Sequence, residues 1–175
     1  MIFFIINKYY YSNRNLSDKM LSPSILLYLK LMFTRWDNGD IEKLDDEKIA
    51  SHIQEYHINK YDVDINFVDN DNSEYSTPAL ILAAKMGLIK TLSMLLDNGA
   101  NIDIRGCMKN TALMSAAFCN NDDIVLMLVF RGADINAVDE GGANALDYAL
   151  IENDESCKSA IILFESGLNP SNNYS

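Results

Sequence analysis

A period of 33 residues runs through the chain from about residue 79 onward, and no other feature restricts its fold so tightly. Gly99 and Gly132 stand 33 apart inside the matching segments "LLDNGANID" (95–103) and "LVFRGADIN" (128–136). Ala79, Ala112 and Ala145 share that offset, as do Leu80, Leu113 and Leu146. A small pair or near-pair follows each, "AA" at 83–84 and 116–117 and "AL" at 149–150. Units of this length cannot bury an apolar face alone, so they stack and share one core. The chain therefore reads as a solenoid.

Each unit reads as a short first helix, a tight turn, a second helix, a Gly-terminated loop and an extended finger. Small Ala residues let neighbouring first helices approach closely, while "TLSMLL" and "IVLMLV" give the second helices a wide apolar stripe. Gly99 and Gly132 lack a Cβ and suit the left-handed residue that commonly closes a helix.

The pattern resembles the ankyrin repeat family, whose unit is about 33 residues with a T-P-L-H-x-A signature. "NTALMSAAFCNNDDIVLMLVFRGADIN" carries the resemblance best, with Thr111 at the Thr position, Ala112 for Pro, Met114 for His and Asn120 for the inter-helix Gly. The preceding unit has Pro78 at the Thr position and keeps Gly87; the following one has Asn136, Asp139 and Gly142 in the family's loop pattern. The resemblance implies an all-α fold class, an ankyrin-type helix-turn-helix solenoid with β-hairpin or finger loops. The expected organisation is a loose tail (1–23), a degenerate N-terminal cap repeat (24–65), repeats at 66–102, 103–135 and 136–169, and a tail at 170–175. The cap's helices are expected near 24–37 and 40–59.

One loop invites another reading. In "DNDNSEYS" (69–76), Asp69, Asp71 and Ser73 occupy the first, third and fifth places of a calcium loop. Glu74 then stands where the loop needs Gly, and Leu80 where it needs a bidentate Glu. Asn66 to Pro78 spans 12 positions where Asp103 to Thr111 spans 8, so the segment reads as a finger lengthened by four residues, its acids and amides acting as turn formers.

Composition narrows function by exclusion. A net charge of −11 and a pI near 4.4 repel phosphate, which argues against nucleic acid and anionic lipid as partners. Cys107, Cys119 and Cys157 form no C-x-x-C pair, which fits a reducing, cytoplasmic setting. The opening "MIFFII" is too short for a membrane span; a start at Met20 is the alternative reading of residues 1–19. His52 and His57, five apart, fall on different faces of a helix and do not read as a metal pair. The acidic run "LDDEK" (44–48) reads as a solvated face. With no catalytic constellation, no enzyme activity, cofactor or metal is expected.

The resemblance implies a non-catalytic scaffold, expected to be monomeric, that binds a partner protein through its fingers and the exposed, concave side of its first helices. The positions carried over are Lys85, Met86, Met108, Phe118, Arg131, Ile151 and Glu152. Met86, Phe118 and Ile151 are expected to form an apolar stripe with Met108 above it, fitting a partner helix or extended segment of basic character. The alternative is that these side chains are core. Leu126, Phe130 and Ile161 sit at second-helix positions that the family usually fills with charge; they form either a back patch for "MIFFII" or a second copy of the chain, or core. Two further alternatives follow from the resemblance: Asn136 as the target of an asparaginyl hydroxylase, and an effector of an intracellular bacterium or large virus delivered into a host cell.

Overall fold

A computed structural model describes residues 45–55, 64–66, 77–151 and 158–168. Its helices are α1 (Asp46–Ile53), α2 (Ala79–Lys85), α3 (Ile89–Asp97), α4 (Ala112–Phe118), α5 (Asp122–Phe130), α6 (Ala145–Ile151) and α7 (Lys158–Glu165). The first helices α2, α4 and α6 pack in order, and each packs on the second helix that follows it. Among the second helices, α1 packs on α3 and α5 on α7.

The repeated small residues set this spacing. Ala83, Ala84, Ala116, Ala117 and Ala149 are all 0% exposed, so the first helices meet where no larger side chain would fit. Leu92, Leu95, Val125, Leu128 and Leu163, also 0% exposed, form the apolar stripe of the second helices. The helical solenoid expected from the sequence is what the described residues form. No strand occurs among them, so the fingers are turns rather than paired ladders.

The ends of the helices explain the boundaries. Thr111 caps α4 by accepting from the Met114 N–H at 3.3 Å. Asn144 and Asp147 cap α6 reciprocally: Asn144 Oδ1 accepts from the Leu146 and Asp147 amides, and Asp147 Oδ2 accepts from the Asn144 N–H at 2.7 Å. Gly99, Gly132 and Gly167 close α3, α5 and α7 at φ 90°, 85° and 93°, a region where a Cβ is strained. Asn120 takes the same kind of conformation, φ 56°, in the turn where the preceding unit has Gly87. Asn tolerates it better than most residues, which is why the family's Gly can be replaced there.

The cap differs from its expectation in extent. Its second helix, expected near 40–59, begins at Asp46 because Asp45 is extended and accepts from the Lys48 N–H. The expected first cap helix, and the inserted finger at 67–76, lie outside the described residues.

The reading of "LDDEK" as a solvated face holds for Asp45, Glu47 and Lys48, which are exposed, and is corrected at Asp46. Asp46 accepts from the Lys90 N–H at 2.6 Å, the Thr91 N–H at 2.9 Å and the Thr91 hydroxyl at 2.7 Å. Leu88, which precedes α3, gives it no side-chain cap, so Asp46 supplies one from the neighbouring repeat. The same tie recurs between α5 and α7, where the Ser159 hydroxyl donates to Asp122 at 2.5 Å. Asn121 works in the opposite direction, donating its carboxamide N–H to the Ala84 carbonyl at the end of α2 at 2.7 Å.

Candidate docking surface

The loops that carry the fingers share one hydrogen-bond rule. Asp64, Asn101 and Asp134 each accept from the backbone N–H two residues on, a local turn that short acid and amide side chains favour. Asn66 and Asp103 then reach the next loop: Asn66 Oδ1 accepts from the Asn101 N–H at 2.7 Å, and Asp103 Oδ1 from the Asp134 N–H at 2.9 Å. The loops are thereby fixed to one another at the pitch of the repeats. Asn136 follows in the same series, exposed in its turn, with its backbone N–H donated to Asp134.

The finger tip at Cys107–Asn110 is strained. Met108 and Lys109 both have positive φ, 53° and 61°, and the Asn110 N–H donates to the Cys107 carbonyl at 3.1 Å. Two consecutive left-handed residues define a type I′ turn, which usually selects Asn-Gly. Here it is built from Met-Lys, and Met108 is left 61% exposed. Neighbouring structure holds it in place: Arg105 donates to the Lys109 and Val138 carbonyls, both at 2.9 Å, and the Glu140 N–H donates to the Met108 carbonyl at 2.9 Å. Strain maintained by surrounding contacts is common where a surface presents a side chain to a ligand.

On the first helices the structure corrects the composition of the stripe. Phe118 and Ile151 are exposed, 36% and 54%, but Met86 is only 8% exposed and belongs to the core. The physical reason is register. Lys85, Phe118 and Ile151 are 33 apart, whereas Met86 corresponds to Cys119, one residue and about 100° further round the helix. The exposed row is therefore Lys85, Phe118 and Ile151. Phe118 is braced by its neighbour: its ring meets that of Tyr148 edge to face, centroids 6.3 Å apart at 84°. Tyr148 in turn donates its hydroxyl to Asp139 at 2.7 Å.

Asp139 anchors this link. Its other oxygen accepts from the Gly141 and Ala143 amides at 2.8 and 2.9 Å. Partial burial is the largest single influence and raises its pKa; the hydrogen bonds from Tyr148, Ala143, Gly141 and Gly142 together outweigh it and hold the carboxyl below its ordinary range.

Arg131 does not join the row. It ends α5 and bridges back to α3, donating to Asp97 at 2.5 Å and to the Ser93 hydroxyl at 3.0 Å. That ties two second helices together. Glu152 lies outside the described residues. The sequence reading missed the roles of Tyr148 and Asp139, although the nine-residue separation of a loop Asp from a first-helix Tyr was there to be read.

Stacked helix pairs, linked finger loops and an exposed row at the repeat period define a helical repeat protein of the docking type, and among the described residues no group of three His, Cys, Asp or Glu could hold a metal ion. A family model described as "Ankyrin repeats (3 copies)" matches residues 47–139, and the chain belongs to the ankyrin repeat family. Ankyrin repeat and SAM domain-containing protein 6 of Mus musculus is 34% identical over 94 residues, covering 53% of this chain and 10% of that protein. Inactive serine/threonine-protein kinase TEX14 of Bos taurus is 38% identical over 84 residues, 48% of this chain and 6% of that protein. Probable E3 ubiquitin-protein ligase XBOS31 of Oryza sativa subsp. japonica is 35% identical over 85 residues, 48% of this chain and 19% of that protein. These matches run over the repeats, so "kinase" and "ligase" are said of those proteins alone. The family is a general protein-protein interaction module and generally non-catalytic. Among the described residues no helix is long and apolar enough to cross a membrane.

Proposed function

We propose that this chain is a non-catalytic scaffold that docks one segment of a partner protein along Lys85, Phe118 and Ile151, with Met108 closing over it from the finger. The observation that carries the reading is the exposed, braced Phe118 in a row spaced at the repeat period. A partly exposed aromatic held by a neighbour resembles an interface hot spot, whose truncation costs about 2 kcal/mol or more of binding. The chain's net charge of −11 favours a segment carrying Lys or Arg beside its apolar residues.

The test is affinity capture with cross-linking, comparing the wild-type chain with Phe118→Ser/Ile151→Ser after both are shown to fold. Partners lost by the folded variant support the reading. An unchanged partner set moves docking away from the row. Asn136, exposed in its turn, supports a second reading as the target of an asparaginyl hydroxylase. Mass spectrometry of the chain from hydroxylase-containing cells tests it, and no added oxygen on Asn136 would sink it.

A further inference from the structure

The outer face of the second helices carries a patch that the docking row does not use. Leu126 and Phe130, four apart on α5, are 51% and 92% exposed; Ile161 and Phe164, three apart on α7, are 47% and 63% exposed. Those spacings put each pair on one side of its helix. Counted from the closing Gly132 and Gly167, Ile161 takes the place of Leu126, so Leu126, Phe130 and Ile161 share the outer face where α5 packs on α7. Phe164 takes the place of Leu96 and Val129, partly buried against the core in the earlier units, and stands at the edge of that face. The corresponding positions on α3, 33 residues earlier, are the polar Ser93 and Asp97. From Ile124 to Phe130, α5 is apolar around its whole circumference, a pattern normal for a helix covered on every side.

We propose that a second copy of this chain covers this face, with α7 lying antiparallel to its two-fold mate. The charges on α7 suit that arrangement. Lys158 begins the helix and Glu165 ends it, both exposed, so a two-fold axis across the helix sets each Lys158 opposite the mate's Glu165 and brings the apolar residues together between them. A fully covered aromatic side chain buries about 150–250 Å², so Phe130 with the half-open Leu126 and Ile161 offers on the order of 300 Å² per copy. A standard interface buries about 800 Å² per partner, which makes this the apolar centre of a weak, reversible dimer. Two chains of charge −11 also repel, and salt relieves that repulsion.

Sedimentation equilibrium of the full chain over a range of concentrations tests this. The expected result is a monomer–dimer equilibrium with a Kd of about 1–100 µM, tightening several-fold as NaCl rises from about 0.02 to about 0.5 M. Phe130→Glu/Ile161→Glu, both at exposed positions, should fold and remain monomeric. Lys158→Glu should weaken the dimer, and Lys158→Glu/Glu165→Lys should restore it. A chain that stays monomeric throughout, a dimer indifferent to Phe130→Glu/Ile161→Glu, or a charge swap that fails to restore association overturns the proposal. A monomer that dimerises only after residues 1–19 are removed assigns the face to the chain's own N-terminal segment and equally overturns it.

Discussion

Replacing Asp46 by Ala removes the side-chain acceptor of the Lys90 and Thr91 backbone amides in the first turn of α3, and the cost can be worked from its bonds. Asp46 receives three hydrogen bonds, two from backbone amides and one from the hydroxyl of Thr91, which is 0% exposed. Loss of a helix cap alone costs about 0.5–2 kcal/mol. A buried donor left without a partner costs about 1–3 kcal/mol, whereas the Lys90 amide, on an exposed residue, can turn to water. A carboxylate near a helix N-terminus adds about 0.3–1 kcal/mol. The sum, discounted for overlap between these effects, is about 2–3 kcal/mol. Asp46→Asn keeps an acceptor but loses the charge and should cost about 1 kcal/mol. The Lys90–Glu47 ion pair beside it is exposed on both sides and adds little. Urea denaturation followed by circular dichroism reads the effect as a midpoint lowered by about 1 M at a typical slope. Thr91→Val completes a double-mutant cycle, with about 1 kcal/mol of coupling expected between the two sites. An Asp46→Ala midpoint within about 0.2 M of wild type at unchanged slope, or no coupling to Thr91, would refute the cap assignment.

Three more outcomes follow from the same contacts. Met108→Asn/Lys109→Gly supplies the residues a type I′ turn prefers, so thermal unfolding should show a gain of about 1–2 kcal/mol while partner capture weakens; a loss of stability would deny the strain. Deleting residues 20–61 removes buried Ile49 and Ile53 along with Asp46, exposing the α3 face they cover, and should cause aggregation in light scattering. A soluble fragment 62–175 that unfolds cooperatively would show the cap to be dispensable. Because the carboxyl of Asp139 titrates below its unfolded value near about 3.9, its contribution is complete above that value and disappears as pH falls through the lower folded one. Amide exchange at Gly141 and Ala143, corrected for intrinsic rates, should therefore stay protected at about pH 5 and rise only below about pH 4; a rise beginning near neutrality would contradict the sign.

The stacking was legible because it depends on a strict period. Ala83, Ala84, Ala116 and Ala117 announce the close approach of first helices, and Leu92, Leu95, Val125 and Leu128 the stripe behind them. The error at Met86 came from matching residues by apolar character instead of by offset; the period itself selects Lys85 as the partner of Phe118 and Ile151. Asp46 was harder to read. It reaches a residue 45 positions away across a segment that breaks the repeat length, and nothing local distinguishes a carboxylate capping another helix from one in solvent. The outer patch was legible in part: Leu126, Phe130 and Ile161 stand where the family usually has charge and are exposed, but the sequence left core packing open as the alternative. An apolar helix such as α5 looks like core in one dimension, and only the packing of its neighbours decides which side stays uncovered.

The polar ties between second helices are not uniform along the array, and this bears on where the surface can vary. Asp46 to Thr91 links α1 to α3, and Asp122 to Ser159 links α5 to α7. At the corresponding positions between α3 and α5 the chain has Ile124, buried in the apolar core, and Ile89, partly buried against it. There the tie moves outward, to Arg131 with Asp97 and Ser93, and to Asn121 with the Ala84 carbonyl. Stacking is thus fixed at the helix ends and loops, and none of these ties runs through the side chain of Phe118. Phe118, the last residue of α4, is exposed, and its ring is oriented by Tyr148, which Asp139 holds. A side chain already restrained loses less conformational freedom when a partner arrives, so more of its contact energy appears as affinity. On this argument Phe118 dominates the row, and Tyr148→Ala should weaken docking without touching the partner, by freeing the ring that Phe118 leans on.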